Sequence, residues 1–250
     1  MRHLLIPDTQ AKPGEDLSHI DWASAAIAEY RPDRVIHLGD NWDMASLSSH
    51  ASAGSAEMEN ARYMKDIDAG NEAMDRLTYK WRKLPKYKPD KIFKTGNHEQ
   101  RIERAIAENP RLEGVIGYHH FEMHGFRRDE FLAVTIEDGI AYAHYFQNMN
   151  SRYPVGGTID NRLNKIGMSF VQGHQQGFLY GQRPYPTGRI YHGLVAGSYY
   201  RHDEGYKGRQ GNNHWRGIVI LNDVRNGNYD VMPLSIEYLE RKYGSKRKRK

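Results

Sequence analysis

Cysteine is absent from this chain of 250 residues. Disulfides and thiolate metal sites are therefore excluded, and any bound cation must be held by His, Asp, Glu, Asn, Gln or backbone oxygen. No apolar run approaches the roughly 20 residues of a membrane span. The apolar stretch in the opening MRHLLIPDTQ is too short for a secretory signal. The expectation is a cytoplasmic protein with no membrane partner. Phenylalanine is sparse beside tyrosine, 7 against 17; such a bias suits half-buried strands and also a polar, ligand-lined surface. The apolar share is 38%, with a mean hydropathy of −0.82, which fits a soluble protein. An overall charge bias is also lacking once one segment is set aside. The five basic residues Lys246, Arg247, Lys248, Arg249 and Lys250 account for the whole formal charge of +5. They read as a disordered C-terminal tail, residues 244–250, that either aids solubility or holds DNA or RNA through phosphates.

What is present is a strand–loop–helix rhythm. Arg2–Pro7, Arg34–Leu38 and Lys91–Thr95 read as short buried strands. Each precedes a helical pattern: Leu17–Tyr30, which stops at Pro32; Met58 to about Trp81, after a Ser/Ala-rich loop; and Gln100–Glu108, which stops near Pro110. Three such units argue for parallel pairing. The second half predicts strands at Phe131–Ile136, Ile140–His144, Met168–Gln172, Ile190–Ala196, Gly217–Leu221 and Tyr229–Pro233. Hairpin turns are predicted at Asp138-Gly139 and Asn226-Gly227, and helices at Thr158–Lys165 and Ser235–Tyr243. Without a repeat or linker, residues 1–243 read as one α/β domain, with sheets packed together and helices outside.

The chemistry-bearing residues fall where these strands end. Asp8 and Gln10 follow the first strand, Asp40 and Asp43 the second, and Asn97, His98 and Glu99 the third. His144 ends the Ile140 strand, and His174, Gln175 and Gln176 follow Met168–Gln172. In open α/β sheets, ligands bind beyond the carboxyl ends of strands. A lone histidine is usually structural, but five strand ends carrying Asp, Asn or His point to a divalent cation site.

The segments Asp8-Thr9-Gln10, Gly39-Asp40-Asn41-Trp42-Asp43, Gly96-Asn97-His98-Glu99, His144 and Gly173-His174-Gln175-Gln176 resemble the motif series of the calcineurin-like metallophosphoesterases. They are most like the small phage-encoded members of unassigned function, for which the compartment would be the host cytoplasm. Order and spacing agree over roughly residues 1–200. The resemblance implies two packed mixed β-sheets, a β-sandwich, flanked by α-helices. It also implies two metal ions bridged by Asp40. Asn97, His144 and His174 would complete one site, and Asp8, Gln10 and Gln176 the other. His98 would act beside the substrate phosphate, as acid to the leaving oxygen or as a charge stabiliser, with Asp43 accepting a ring N–H bond from it. The implied reaction is in-line attack on phosphorus by a hydroxide bridging the two ions.

The sequence departs from that series at Gln10 and Gln176, where the family usually has histidine. Both changes fall on one ion. Amide oxygen is a harder ligand than imidazole, so Mn²⁺ or Mg²⁺ is favoured there, with Mn²⁺ preferred and Fe or Zn²⁺ possible. Either this ion is weakly held and arrives with substrate, or the chain binds one ion only; the retained Asp8 favours the first. Arg101 is a candidate phosphate contact, while Arg104 reads as part of a solvated helix face with Glu103 and Glu108. Tyr145 and Phe146 are candidates for base stacking or packing, and His37 for a core residue. The cluster His119, His120 and His124 needs no second site. The late segment from Tyr199 through Trp215 is either a substrate rim or an ordinary loop. The expected function is a metal-dependent phosphodiesterase on nucleic acid or nucleotides. The alternatives are a phosphomonoesterase and a non-catalytic nucleic-acid-binding protein with a decayed metal site. Oligomeric state is left open.

Overall fold

A computed structural model describes residues 1–49 and 61–244. Its strands are β1 (His3–Ile6), β2 (Arg34–His37), β3 (Asp90–Lys94), β4 (Arg127–Asp129), β5 (Thr135–Glu137), β6 (Ile140–Ala143), β7 (Phe170–Gln172), β8 (Phe178–Pro184), β9 (Ile190–Ala196), β10 (Gly217–Arg225) and β11 (Asn228–Ser235). Its α-helices are α1 (Ser18–Tyr30), α2 (Tyr63–Tyr79), α3 (Arg101–Glu108), α4 (Ile159–Ile166), the single turn α5 (Gly208–Gly211) and α6 (Ile236–Tyr243).

The strands form two mixed sheets. The first runs β11-β10-β1-β2-β3-β4, with β1 to β4 parallel and β10 and β11 antiparallel at one side. The second runs β5-β6-β7-β9-β8, with β6, β7 and β9 parallel and antiparallel strands at both edges. Parallel neighbours need crossovers, and α1, α2 and α4 supply three of them.

The two-residue period of the strands decides what each sheet face meets. In β1, Leu4 and Ile6 face the helices with Ala23, Ile27 and Leu239, whereas Leu5 faces the other sheet. In β10, Ile218 and Ile220 take the helix side, and Val219 and Leu221 the side between sheets. Strands of the second sheet answer in kind: Ile140, Tyr142, Val171 and Leu194 point into the shared core, while Ala141, Ala143 and Phe170 pack against Leu163 of α4. The molecule is thus a β-sandwich with helices on both outer faces.

Several predicted elements shift. The run Phe131–Ile136 is mostly a turn, and only Thr135–Glu137 pairs; Leu132 has a φ of 65° and Val134 is exposed, so this apolar run has no core to face. Strand β8 forms where no element is predicted, because its Gly, Gln, Arg and Pro obscure any alternation; it is a solvent-facing edge strand, where polar residues cost little. The short β4 is likewise not predicted, since Arg127–Asp129 carries no apolar residue. Helix α2 begins at Tyr63 with Arg62 extended. The earlier start predicted at Met58, most of the Ser/Ala-rich loop and tail residues 245–250 lie outside the described residues. Both hairpin turns form, joining β5 to β6 and β10 to β11. Asp138, Gly139, Asn226 and Gly227 take φ of 50°, 83°, 51° and 84°, the left-handed pair that a tight hairpin requires.

Candidate metal centre

The parallel strands of both sheets deliver their carboxyl ends to one region. Beyond β1, β2, β3, β6 and β7 follow Asp8, Asp40, Asn97, His144 and His174. The chain turns sharply there, and three non-glycine residues hold left-handed backbone: Gln10 at φ 40°, Asp40 at 52° and His174 at 62°. Such conformations cost on the order of 1–3 kcal/mol each and persist where surrounding contacts over-determine them. Gly96 is required by space rather than torsion, for a Cβ there would lie 2.1 Å from Asp40 Oδ1. A Cβ at Gly173 would come within 2.7 Å of Asp8 Oδ1.

Four side chains from four loops meet in the first group of donors. His144 Nδ1 donates to the Leu38 carbonyl at 2.7 Å, which leaves Nε2 facing Asn97 Oδ1 at 2.9 Å and Asp40 Oδ2 at 3.3 Å. His174 Nδ1 lies 2.8 Å from the same Asn97 oxygen. Donor atoms of Asp40, His144 and His174 all lie within 4.8 Å of one another. A ring nitrogen facing two acceptor oxygens needs either a proton or a cation between them. In the metal-free chain the proton serves: burial opposes the charge on His144, but Asp40 outweighs it and holds the ring at about 9. Burial, then His144, press His174 down to about 4. Burial would also raise Asp40, yet His144 and His98 drive its carboxyl far below the usual range. Two imidazoles, a carboxylate and an amide oxygen form a donor set suited to a borderline divalent ion.

A second group consists of oxygens alone. Asp8 Oδ1 accepts from the His174 amide at 3.1 Å, but Asp8 Oδ2, Gln10 Oε1 and Gln176 Oε1 are buried without a hydrogen-bond partner. An unpaired buried acceptor costs about 1–3 kcal/mol. Burial, with Asp40 second, pushes Asp8 up to about 7. Three orphaned oxygens, one of them a carboxylate, fit a hard divalent cation.

His98 stands against the first group. Its amide donates to Asp40 Oδ1 at 3.0 Å, and its Nδ1 lies 2.9 Å from both the backbone oxygen and Oδ1 of Asp43. Its Nε2 is 3.8 Å from Asp40 Oδ2. Arg101 donates to the carbonyls of Asp43 at 2.8 Å and Met44 at 3.3 Å, bringing its Nη2 within 3.5 Å of His98 Nε2. Asp43 is also approached by Lys12 Nζ at 3.9 Å, itself bound to Glu204 at 2.7 Å.

Glu99 has a different place from its neighbours. It is fully buried and accepts from the amides of Gly96, Asp40, Asn41 and Trp42 at 2.8, 3.0, 2.6 and 3.0 Å. It ties the second strand's loop to the third's and contributes no atom to either donor group; its place at the strand end did not separate it from Asn97 and His98, and only the family resemblance left it without a role. Lys12 and Glu204 gave no signal, being 192 positions apart. His37 is buried, with Phe93 stacked on it and Thr9 on its Nε2. Phe146 is core, while Tyr145 lies tilted against His174 at 4.7 Å. His120 binds the Tyr63 hydroxyl, away from the centre. In the late loop, His214 meets Ser198, and His202 meets Glu204.

No helix among the described residues is long and apolar enough to cross a membrane. No family model matches the chain, and no curated protein matches it. Among solved structures, a conserved uncharacterized protein from Streptococcus pneumoniae TIGR4, described as a predicted phosphoesterase, is similar at a TM-score of 0.36 and 12% identity. The similarity spans 95% of this chain and 91% of that one.

Proposed function

We propose that this chain is a metal-dependent phosphoester hydrolase, with phosphodiesters of nucleotides or nucleic acid as its substrates. The observation that carries the reading is the convergence of Asp40, Asn97, His144 and His174 beside the unpartnered oxygens of Asp8, Gln10 and Gln176. Asp40, Asn97, His144 and His174 would hold one ion. Asp8, Gln10 and Gln176 would hold a second with Asp40 between them, and their oxygen character favours Mn²⁺ or Mg²⁺ there. Bound ions supply Lewis acidity toward phosphoryl oxygens and lower the pKa of water.

The chain's own residues then handle the proton and the charge. Asp43 engages Nδ1 of His98, so Nε2 is the nitrogen left to donate to the leaving oxygen. Arg101, fixed by two loop carbonyls beside that nitrogen, offers a fixed positive charge to the phosphoryl oxygens.

The test is turnover of bis-p-nitrophenyl phosphate by chelator-stripped protein to which Mn²⁺ is restored. Turnover is expected to require the metal and to fall about 10²–10⁴-fold in His98→Ala, the usual contribution of a general acid. Asp40→Asn is expected to abolish turnover and the rise in thermal midpoint on adding Mn²⁺. Wild-type turnover no greater than that of His98→Ala would overturn the reading.

A further inference from the structure

Beside Gln176 and His174 opens a cleft of about 470 Å³, lined also by Val155, Arg162, Gln172, Gln175 and Lys207. That volume falls within the span of roughly 300–1,000 Å³ typical of ligand sites. Arg162 of α4 is only 2% exposed. Its guanidinium donates to the carbonyls of Gly157 at 3.0 Å and Val155 at 2.7 Å, and to Gln175 Oε1. All three acceptors are neutral, and no carboxylate forms an ion pair with Arg162 among the described residues. A guanidinium has five N–H donors, of which these contacts use three.

A buried cation without a counter-charge is costly, and a neutral amide donor would close the 155–157 turn as well. The charge is therefore explained by an anion that enters the cleft. Two further observations point to a ligand. Lys207 brings a second cation to the same wall. Gln172, 1% exposed at the end of β7, has a buried Oε1 with no partner.

We propose that this cleft seats a second phosphate of the substrate, held by Arg162 and Lys207 while the scissile phosphate lies at the metal centre. Gln172 takes a hydroxyl or N–H of the group attached to it. The inference rests on the hydrolase reading for what lies at the metal centre, but the anion site is carried by Arg162, Lys207 and Gln172 alone. It makes the preferred substrate a molecule with two phosphates one linkage apart. The second phosphate is either a terminal phosphate on a nucleotide or the next unit of a nucleic-acid backbone.

Three diesters distinguish these sources: the thymidine dinucleotide TpT, its 5′-phosphorylated form pTpT, and the trinucleotide TpTpT. With Mn²⁺, the wild type is expected to show kcat/KM at least tenfold higher for one or both of the latter than for TpT. Preference for pTpT alone assigns a terminal phosphate, and preference for TpTpT a backbone one. Lys207→Met and Arg162→Met are expected to shrink that ratio severalfold through KM. Lys207 is the surface-side variant and remains usable if Arg162→Met does not fold. A wild-type ratio near one, or variants that lower all three substrates equally, would overturn the proposal and leave Arg162 as a turn clamp. Calorimetric binding of the same three molecules separates the two readings. If no diester is cleaved, yet pTpT or TpTpT binds more tightly than TpT and Lys207→Met removes the difference, the hydrolase reading fails and the second-phosphate site stands. Equal binding of all three rejects the site itself.

Discussion

His98 is held at three points: its amide on Asp40, its ring Nδ1 on Asp43, and its Nε2 beside Arg101. Burial works against its charge, but Asp40 and Asp43 outweigh burial and raise it from 6.5 to about 9. The folded value lies above the unfolded one, so the stabilisation from this ion pairing is complete below 6.5 and is lost as pH rises through about 9. Asp43→Asn should therefore lower the His98 pKa in the metal-free protein, as followed by NMR titration of the ring. In the Mn²⁺-loaded protein the same variant should lower kcat by about 10–100-fold, in the range seen when an orienting partner is removed. An unmoved His98 titration in Asp43→Asn would mean that the ring is set by Asp40 alone. The sequence offered both residues as candidates, 55 positions apart. The strand-end pattern alone did not distinguish Asn97, whose oxygen meets both His144 and His174, from Glu99 two positions on, whose carboxylate is consumed by backbone amides; only the resemblance set Asn97 apart.

At the level of elements, the centre depends on loops held to one another rather than on any strand. Glu99 binds four amides that would otherwise be orphaned at the tips of β2 and β3. Replacing it with Gln keeps the shape but turns one acceptor oxygen into a donor, which then faces amide donors. Two amides lose their partner, so Glu99→Gln is expected to cost about 2–4 kcal/mol in urea unfolding. A change within a few tenths of a kcal/mol would show that the clamp is not what holds Asp40 in place. The longer helices and the parallel strands other than β4 were legible because their apolar spacing is regular, with Ile20, Ala23 and Ile27 recurring on the buried face of α1. Thr158 and Ser235 cap α4 and α6 by accepting from Asn161 and Tyr238. Strand β8 was not legible, since an edge strand pairs through its backbone and its side chains are released from any pattern.

Across the whole molecule, buried histidines outside the donor groups, such as His19 and His37, carry a pH dependence in which burial is the largest influence. His19, in the first turn of α1, is 2% exposed, its Nε2 3.1 Å from the Tyr199 carbonyl, and burial lowers it from 6.5 to about 4. Its folded value is depressed, so its contribution is complete above 6.5 and is lost as pH falls toward 4. His19→Gln keeps a donor but does not titrate. The stability gap between wild type and this variant should narrow by about 1.4 kcal/mol per pH unit below 6.5. Urea unfolding at pH 7, 6 and 5 measures it, and a constant gap would sink the assignment of His19 as a neutral buried ring. The sequence by itself determined the alternation of strands and helices, the two-faced strands, and the run of Asp, Asn and His at strand ends, because backbone period and local turn chemistry act over a few residues. Only the tertiary structure decided which atoms meet. Packing one sheet on the other brings residue 144 to residues 40 and 97 and leaves the oxygens of Asp8, Gln10 and Gln176 without partners. Those outcomes follow from contacts across scores of residues, to which no local pattern is sensitive.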